Sequence, residues 1–278
     1  MKTARLLTGS FYFYKMLQNK PIGIFDSGVG GTSIWKEINQ LLPFEDTIFL
    51  ADSKNAPYGN KPAKEILDLS IKNTERLLSM GCKMVVVACN TATTNAIDVL
   101  RKNYDVPFIG IEPAIKPAAL LTTSKSIGIL ATKGTLSSSL FHQTSSSIAK
   151  NISVVEIIGE GLVPLIEAGN IEGKEITELL KIYMAPMLAA KVDYIVLGCT
   201  HYPYIIPTLR KLIPVHIKII DSGEAVARQT KNVLLANSLQ NNSNEKPNLQ
   251  FFSNADADTL KFLLKNYVDK ISVKNIAF

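Results

Sequence analysis

The sequence predicts an α/β protein built from two pseudo-symmetric halves with parallel-rich sheets. Apolar runs of strand length alternate with amphipathic helical segments, which is typical of repeated βα units. The run VVVACNTAT, at Val85–Thr93, has a second copy in IVLGCTHYP, at Ile195–Pro203. The tripeptide DSG also follows an apolar run twice, at Asp26–Gly28 and at Asp221–Gly223. Two halves that share these features imply a ligand cleft between two facing domains.

Composition restricts the class of protein. A chain of 278 residues with 46% hydrophobic content can bury the cores of about two domains. The lysines behind the formal charge of +6 are scattered, so we expect no nucleic-acid partner. Three widely spaced cysteines without a CxxC pair argue against disulfides and a metal site. They favour a reducing compartment, and the cytoplasm is the default.

Residues 1–20 are predicted to form an extension outside the fold. Their apolar positions are interrupted at 8–10 and at Lys15, and no small-x-small cleavage site follows, which disfavours a signal peptide. Strand-like sequence begins only at Pro21, and Met16 could itself be the start. No run in the chain approaches the roughly 18 apolar residues of a membrane span, so we expect no membrane partner.

The first half is predicted to begin with a strand, the turn DSGVGG and an amphipathic helix. The turn carries Asp26 and Ser27 to the carboxyl end of the strand, where open α/β sheets bind ligands. Its glycines do not match GxGxxG, which disfavours a dinucleotide site. The remaining predicted elements are a strand at Thr47–Ala51, a loop with Pro57, Tyr58 and Gly59, a helix from Ala63 to about Met80, the strand that ends at Cys89, a helix at Ala92–Lys102 and a strand in VPFIGIEPA.

The second half repeats this alternation after Pro113. Its predicted elements are a strand segment at Ser126–Thr135, a strand in ISVVEIIGEG, a helix with PLIEAG, a helix at Gly173–Ala190, the strand that ends at Cys199 and a strand at His216–Ile220. The C-terminal part is predicted to contain a helix from about Glu224 to Leu239, a polar loop, the run LQFFSN and a final helix at Ala257–Asn266 that closes the chain. We expect a discontinuous first domain, residues 21–113 and 224–278, and a second domain, residues 114–223.

Cys89 and Cys199 occupy equivalent positions, each at the end of a buried strand and before a small polar turn. Each is followed by side chains that suit anion binding at a helix N-terminus, namely Asn90 and Thr91, and Thr200 and His201. Such a position favours the thiolate and lowers the pKa of a cysteine from about 8.5. Two thiols across a cleft fit inversion of a carbon stereocentre, which needs a base on one face and an acid on the other.

Two other interpretations of the cysteines stay open. A cysteine hydrolase could use Cys199 with His201, but Cys89 would then have no role. Both cysteines could instead be inert buried side chains, which their shared position beside polar turns disfavours. Cys82, on a short loop before a strand, fits that description better. Because the sequence contains no P-loop, zinc signature or pyridoxal lysine motif, we expect no cofactor.

Five motifs, taken together and in order, resemble the glutamate racemase family: GIFDSGVGG, APYG, ACNTAT, VPLIEAG and GCTHYP. The resemblance spans nearly the whole chain from Pro21. It implies two flavodoxin-like domains that face each other across the active site, and interconversion of L- and D-glutamate without a cofactor. It also implies supply of D-glutamate for the peptidoglycan of a bacterial cell wall by a cytoplasmic enzyme, for which we expect a homodimer.

Carried over position by position, the resemblance makes Cys89 and Cys199 the two bases. The residues that it places around the substrate are Asp26, Ser27, Tyr58, Gly59, Asn90, Thr91, Thr200 and His201, and the turn Thr132–Thr135 resembles a further carboxylate-binding segment. We predict that Asp26 assists Cys89, and that His201 and Glu167 assist Cys199. The alternatives are a helix N-cap for Asp26 and a solvated helix face for Glu167.

Other functions remain possible for this architecture. An aspartate racemase and a decarboxylase are the alternatives among enzymes, and the presence of both cysteines favours racemisation over decarboxylation. A two-domain amino-acid-binding protein is the alternative among non-enzymes, which the paired thiols disfavour. The segment ACNTATTNA departs from the ACNTAS form of the resembled family at Thr93, and we expect little effect because Cys89 and its adjacent donors are intact.

Overall fold

The computed structural model describes residues 17–148 and 152–278. The strands in these ranges are β1 Ile22–Asp26, β2 Thr47–Ala51, β3 Met84–Val87, β4 Phe108–Gly110, β5 Ser126–Ala131, β6 Ser153–Ile158, β7 Tyr194–Gly198, β8 Lys218–Ile220, β9 Leu249–Ser253 and β10 Ile271–Asn275. They form two sheets in which neighbouring strands are parallel. The predicted α/β class with parallel-rich sheets is therefore confirmed.

The two sheets share one strand order. The smaller sheet runs β6-β5-β7-β8, and the larger runs β10-β9-β2-β1-β3-β4. In both, the first strand of the half lies between the second and the third, and the fourth lies outside the third. This repeated 2-1-3-4 order is the flavodoxin-like arrangement, and it confirms the predicted pseudo-symmetry. Cys89 follows the third strand of one half, and Cys199 follows the third strand of the other.

Helices connect these strands. Within the described residues they are α1 Thr32–Leu41, α2 Ala63–Ser79, α3 Asn90–Asn103, α4 Ile115–Leu121, α5 Lys133–Leu136, α6 Ser139–Ile148, α7 Leu162–Glu167, α8 Lys174–Ala189, α9 Ile206–Arg210, α10 Gly223–Ala236 and α11 Asp258–Leu263. None of the helices in the described ranges is long and apolar enough to cross a membrane.

Trp35 of α1 packs on the larger sheet and contacts both β2 and the C-terminal strand β9. It is fully buried, its Nε1 donates to the Thr47 hydroxyl over 3.0 Å, and its ring meets that of Phe251 edge to face at 4.7 Å. Truncating such a buried aromatic side chain to alanine costs about 3–5 kcal/mol. The larger sheet thus combines strands from residues 22–110 and 249–275, whereas the predicted domain boundaries themselves stay a prediction.

The C-terminus differs from the sequence prediction. The expected final helix is shorter, at Asp258–Leu263, and the strand Ile271–Asn275 follows it and pairs with β9. The prediction was wrong here because this edge strand is mostly exposed and only Ile271 and Val273 pack on the core. The predicted strand segment at Ser126–Thr135 also ends early, at Ala131, because the following residues form α5.

The chain before the first strand touches the fold. Leu17 packs on the core of the first half, and the Gln18 carbonyl accepts a hydrogen bond from Lys83 Nζ over 2.6 Å. The prediction that residues 1–20 lie outside the fold is therefore wrong for Leu17 and Gln18. Its first part, residues 1–16, falls outside the described residues.

Candidate active site

The carboxyl ends of the strands of both halves meet at one cavity. Cys89 comes shortly after β3 and Cys199 directly after β7, so both reach the edge at which open α/β sheets bind ligands. The side chains and backbone that line the cavity belong to Ser27, Pro57, Tyr58, Gly59, Cys89, Asn90, Thr91, Thr132, Val163, Cys199, Thr200 and His201. Except for Asp26, every residue predicted to surround the substrate is among them.

The cavity is narrow as it stands. Its volume is about 10 Å³, close to the space that one water molecule requires. A second cavity of about 230 Å³ adjoins it and shares Pro57, Gly59, Thr132 and Val163 as walls. A ligand of amino-acid size therefore does not fit the inner cavity unless some of its walls are displaced.

Cys89 lies at the N-terminus of α3. Its Sγ accepts the backbone N–H of Ala92 and donates to the hydroxyl of Ser27, each over 3.4 Å. Burial and, to a lesser degree, the Asp26 carboxyl raise the pKa of the Cys89 thiol well above its ordinary value. The expected lowering of this pKa is therefore wrong for Cys89 in this structure, because desolvation outweighs the donors at the helix N-terminus.

Asp26 lies behind Cys89 and is fully buried. Its Oδ2 accepts the N–H of Gly31 over 2.7 Å, and its Oδ1 accepts the Ser27 hydroxyl over 3.4 Å. The Thr200 hydroxyl approaches the same carboxylate from the other half, at 3.4 Å. Burial raises the pKa of Asp26 from 3.8 to about 6, although the nearby His201 lowers it. Asp26 thus satisfies a backbone donor next to α1, as a capping group does, and also faces both halves of the site.

Cys199 begins a chain of polar contacts. Its Sγ lies 3.6 Å from Nδ1 of His201, and Nε2 of His201 lies 2.5 Å from Oε1 of Glu167. Burial by itself lowers the pKa of His201, but its hydrogen bonds with Cys199 and Glu167 outweigh burial and hold the pKa well above the ordinary value. A protonated His201 donates from one nitrogen to the sulfur and from the other to the carboxylate.

Glu167 joins the two halves. From α7 in the second half, its carboxylate accepts the N–H of Val29 over 2.7 Å and the hydroxyl of Ser53 over 3.0 Å, and both donors belong to the first half. A Cβ on Gly28 would lie 2.0 Å from Oε1 of Glu167, so a side chain at this position would displace the carboxylate. The solvated helix face considered for Glu167 is therefore wrong, because this side chain is 16% exposed and fully engaged.

A cluster of hydroxyl groups closes the far side of the cavity. Thr91 of the first half lies 2.8 Å from the hydroxyl of Thr132, which lies 3.0 Å from that of Thr135 in the same turn. Asn90 is 3% exposed, and its Nδ2 has no hydrogen-bond partner among the described residues. These groups offer hydrogen-bond donors to a ligand in the cavity.

Tyr58 lines the cavity. Its hydroxyl donates to the carboxylate of Asp52, and burial together with Asp52 raises the pKa of that hydroxyl above its ordinary value. Sequence reasoning missed Pro57 and Val163 as lining residues and gave Asp52 no role. Each had a local signal: Pro57 and Val163 belong to the motifs APYG and VPLIEAG, and Asp52 directly follows the predicted strand Thr47–Ala51. No cluster of metal-binding side chains occurs in residues 17–148 and 152–278.

The chain is similar to several glutamate racemases. The curated glutamate racemase of Cupriavidus pinatubonensis is 44% identical over 241 residues, which cover 87% of this chain and 89% of that protein. The crystal structure of Escherichia coli glutamate racemase with L-glutamate and the activator UDP-MurNAc-Ala superposes with a TM-score of 0.82 at 33% identity, covering 93% of this chain and 98% of that one. The structure of Francisella tularensis glutamate racemase with D-glutamate has a TM-score of 0.80 at 25% identity, covering 94% and 98%.

A family model also matches most of the chain. The model described as Asp/Glu/Hydantoin racemase matches residues 22–230, which is more than half of the chain and includes both cysteines of the cavity. The match begins at the first residue of β1 and contains every residue that lines the cavity. The chain belongs to the Asp/Glu/hydantoin racemase family.

Proposed function

We propose that this protein interconverts L- and D-glutamate without a cofactor, using Cys89 and Cys199 as two bases. The observation that carries the proposal is the convergence of these two thiols, one from each half, on a single cavity. Support for glutamate comes from relatives that bear the name glutamate racemase and from their structures with L- and D-glutamate.

The proposed reaction removes one proton from the α-carbon and adds another to its opposite face. A thiolate on one face removes the α-hydrogen, and the thiol on the other face delivers a proton to the opposite side of the carbanion. The two sulfurs exchange roles in the reverse reaction, so atoms and charge balance in both directions. The α-carboxylate and side-chain carboxylate meet donors near helix N-termini, among them Asn90, Thr91 and Thr200.

Each thiol has its own proposed assistant. Ser27 accepts the Cys89 S–H, and Asp26 accepts the Ser27 hydroxyl, which gives the first thiol a route to a carboxylate. For the second thiol, His201 lies against the Cys199 sulfur and is held by Glu167. An imidazolium beside a sulfur stabilises negative charge on it. We therefore propose that the two thiols are assisted by different groups: the carboxyl of Asp26 behind Cys89, and the imidazolium of His201 beside Cys199.

The test follows isotope and configuration together. Purified protein is incubated with L-glutamate in D₂O, and we expect deuterium at the α-carbon and D-glutamate in equal final amount with L-glutamate. L-aspartate in a parallel reaction tests the aspartate racemase alternative, and release of CO₂ tests the decarboxylase. Glutamate that stays undeuterated and in the L form would contradict the proposal and leave an amino-acid-binding protein.

We further propose that the enzyme supplies D-glutamate for peptidoglycan and acts in the cytoplasm as a homodimer. The free, buried state of all three cysteines, Cys82, Cys89 and Cys199, supports a reducing compartment. Supply of D-glutamate and the homodimer rest on the family resemblance. Rescue of a bacterium that requires D-glutamate for growth would test the first, and sedimentation of the purified protein would test the second.

A further inference from the structure

Asp52 is a buried carboxylate that the proposed reaction does not use. It follows β2 directly and is 2% exposed. Four side-chain groups donate to its two oxygens: Asn55 Nδ2 over 2.7 Å, Asn73 Nδ2 over 3.3 Å, the Tyr58 hydroxyl and Asn254 Nδ2. A carboxylate has about four acceptor positions, so this one is saturated. A single oxygen cannot replace the pair without leaving buried donors unmatched.

The donors come from three separate parts of the chain. Tyr58 and Asn55 belong to the loop after β2, Asn73 lies within α2, and Asn254 follows β9. Asn254 also accepts the backbone N–H of Lys54 over 2.9 Å, so it holds the same loop at a second point. The contact is possible because β2 and β9 are parallel neighbours that end at the same edge. Asn254 lies beyond residues 22–230, the part that matches the family model.

The loop held in this way forms a wall of the catalytic cavity. Tyr58 and Gly59 line the cavity, and a Cβ on Gly59 would lie 2.9 Å from Cβ of Thr132 in the second half. A Cβ on Gly134 would lie 3.1 Å from the Gly59 carbonyl. The loop and the second half are thus in tight contact, so a small displacement of the loop changes the shape of the cavity.

We propose that Asp52 and Asn254 are positioning residues that hold the Tyr58–Gly59 wall in place and thereby set the affinity for the substrate. This inference rests on the proposed function, since Tyr58 and Gly59 are there assigned to the substrate site. Neither residue lies on the route of a proton between the two thiols. Their effect is therefore symmetrical between the two enantiomers, unlike that of Asp26 or His201.

The experiment begins with Asp52→Asn in the full chain, with kcat and KM measured for both L- and D-glutamate. We expect KM to rise about tenfold, an effect as large as the loss of roughly one hydrogen bond to the substrate. The factor should be the same for both enantiomers, and kcat should change less. The matched control is Glu45→Gln, which alters another buried carboxylate. Glu45 pairs with Lys83 at 2.6 Å near the opposite end of the sheet. Its variant should lower Tm and leave KM unchanged.

An exchange variant separates positioning from general destabilisation. In Asp52→Asn combined with Asn254→Asp, the amide nitrogen of residue 52 can donate to the new carboxylate at 254, which still accepts the Lys54 N–H. The amide oxygen of residue 52 still accepts from Tyr58 and Asn73, so only Asn55, which is partly exposed, loses its acceptor. We expect KM to return to within about twofold of the wild type, as for a coupled pair in a double-mutant cycle. Unchanged KM in Asp52→Asn, an equal rise in Glu45→Gln, or no recovery in the exchange variant would each overturn the positioning role while wild-type turnover stands. Wild-type protein that does not racemise glutamate would overturn the proposed function, and this inference with it.

Discussion

The two cysteine sites occupy the same place in the two halves and differ in their electrostatics. Cys89 has a hydroxyl and a buried carboxyl behind it, both from its own half, and burial raises the pKa of its thiol. Cys199 has an imidazole beside it, whose own pKa is held well above the ordinary value. Repetition of the fold therefore fixes where the sulfurs lie, and the residues around each strand end decide which polar and charged groups each sulfur meets.

The two sites also differ in which half of the chain supplies the residues that contact each cysteine and its assistant. Asp26 and Ser27 lie on the strand and turn next to Cys89. Glu167 instead comes from the second half and bonds to Val29 and Ser53 of the first. The groups that support Cys199 therefore depend on contact between the two halves, whereas those that support Cys89 lie largely within one half.

The largest expected effect comes from removing either sulfur. Cys89→Ser and Cys199→Ser should each reduce racemisation by about 10³-fold or more, because an alcohol is a far weaker base than a thiolate. Cys82→Ser is the matched control, since Cys82 is equally buried but lies outside the cavity. Glutamate turnover is measured by polarimetry. Near-normal activity of either catalytic variant would contradict the two-base proposal and the comparison built on it.

A smaller effect should separate the two assistants. Asp26→Asn and His201→Asn should each lower turnover by about ten- to a hundredfold, with unequal effects on kcat in the two directions, because each residue assists one thiol. KM must change to compensate, since the equilibrium constant of a racemisation is one. The ratio of forward to reverse kcat is the quantity to measure. Equal reductions in both variants and directions would mean that the two sites do not differ in function.

The ionised carboxylate of Asp26 should also lower the free energy of unfolding at neutral pH. Its pKa is raised from 3.8 to about 6 in the folded protein, so the folded state binds the proton more tightly than the unfolded state. Stability therefore falls as pH rises between these values, by about 3 kcal/mol in total. Asp26→Asn should remove this fall. The free energy of unfolding of both proteins at pH 4 and pH 7 checks it, and an equal pH dependence in the variant would show that Asp26 is ionised without penalty.

The smallest effect is expected from shortening the chain at its N-terminus. A chain that starts at Met16 should match the full chain in activity and Tm, whereas one that starts at Pro21 loses the packing of Leu17 and the bond from Lys83 to Gln18. We expect the shorter chain to lose about 1–2 kcal/mol of stability with unchanged KM. Thermal unfolding and kinetics of both chains measure this. A change in KM would mean that the cysteine site of the first half depends on its distant end.

The sequence by itself determined the fold class, the duplication and the place of the two sulfurs. Apolar strand runs that end in Cys89 and Cys199 are local patterns, and parallel strands necessarily bring their carboxyl ends to one edge. The same reasoning reached Ser27, Asn90, Thr91, Thr200 and His201, because each stands within a few residues of a strand end. Family resemblance then supplied the substrate and the assistant role of Glu167.

Tertiary structure decided what depends on partners far apart in the chain. Asn254 reaches Asp52 across 202 residues, and Glu167 reaches Val29 across 138. The raised pKa of Cys89 follows from burial on all sides, which no local pattern states, and it reverses the expectation drawn from the helix N-terminus. Periodicity reports which face of an element is apolar, whereas desolvation and hydrogen-bond partners exist only once distant elements have packed together.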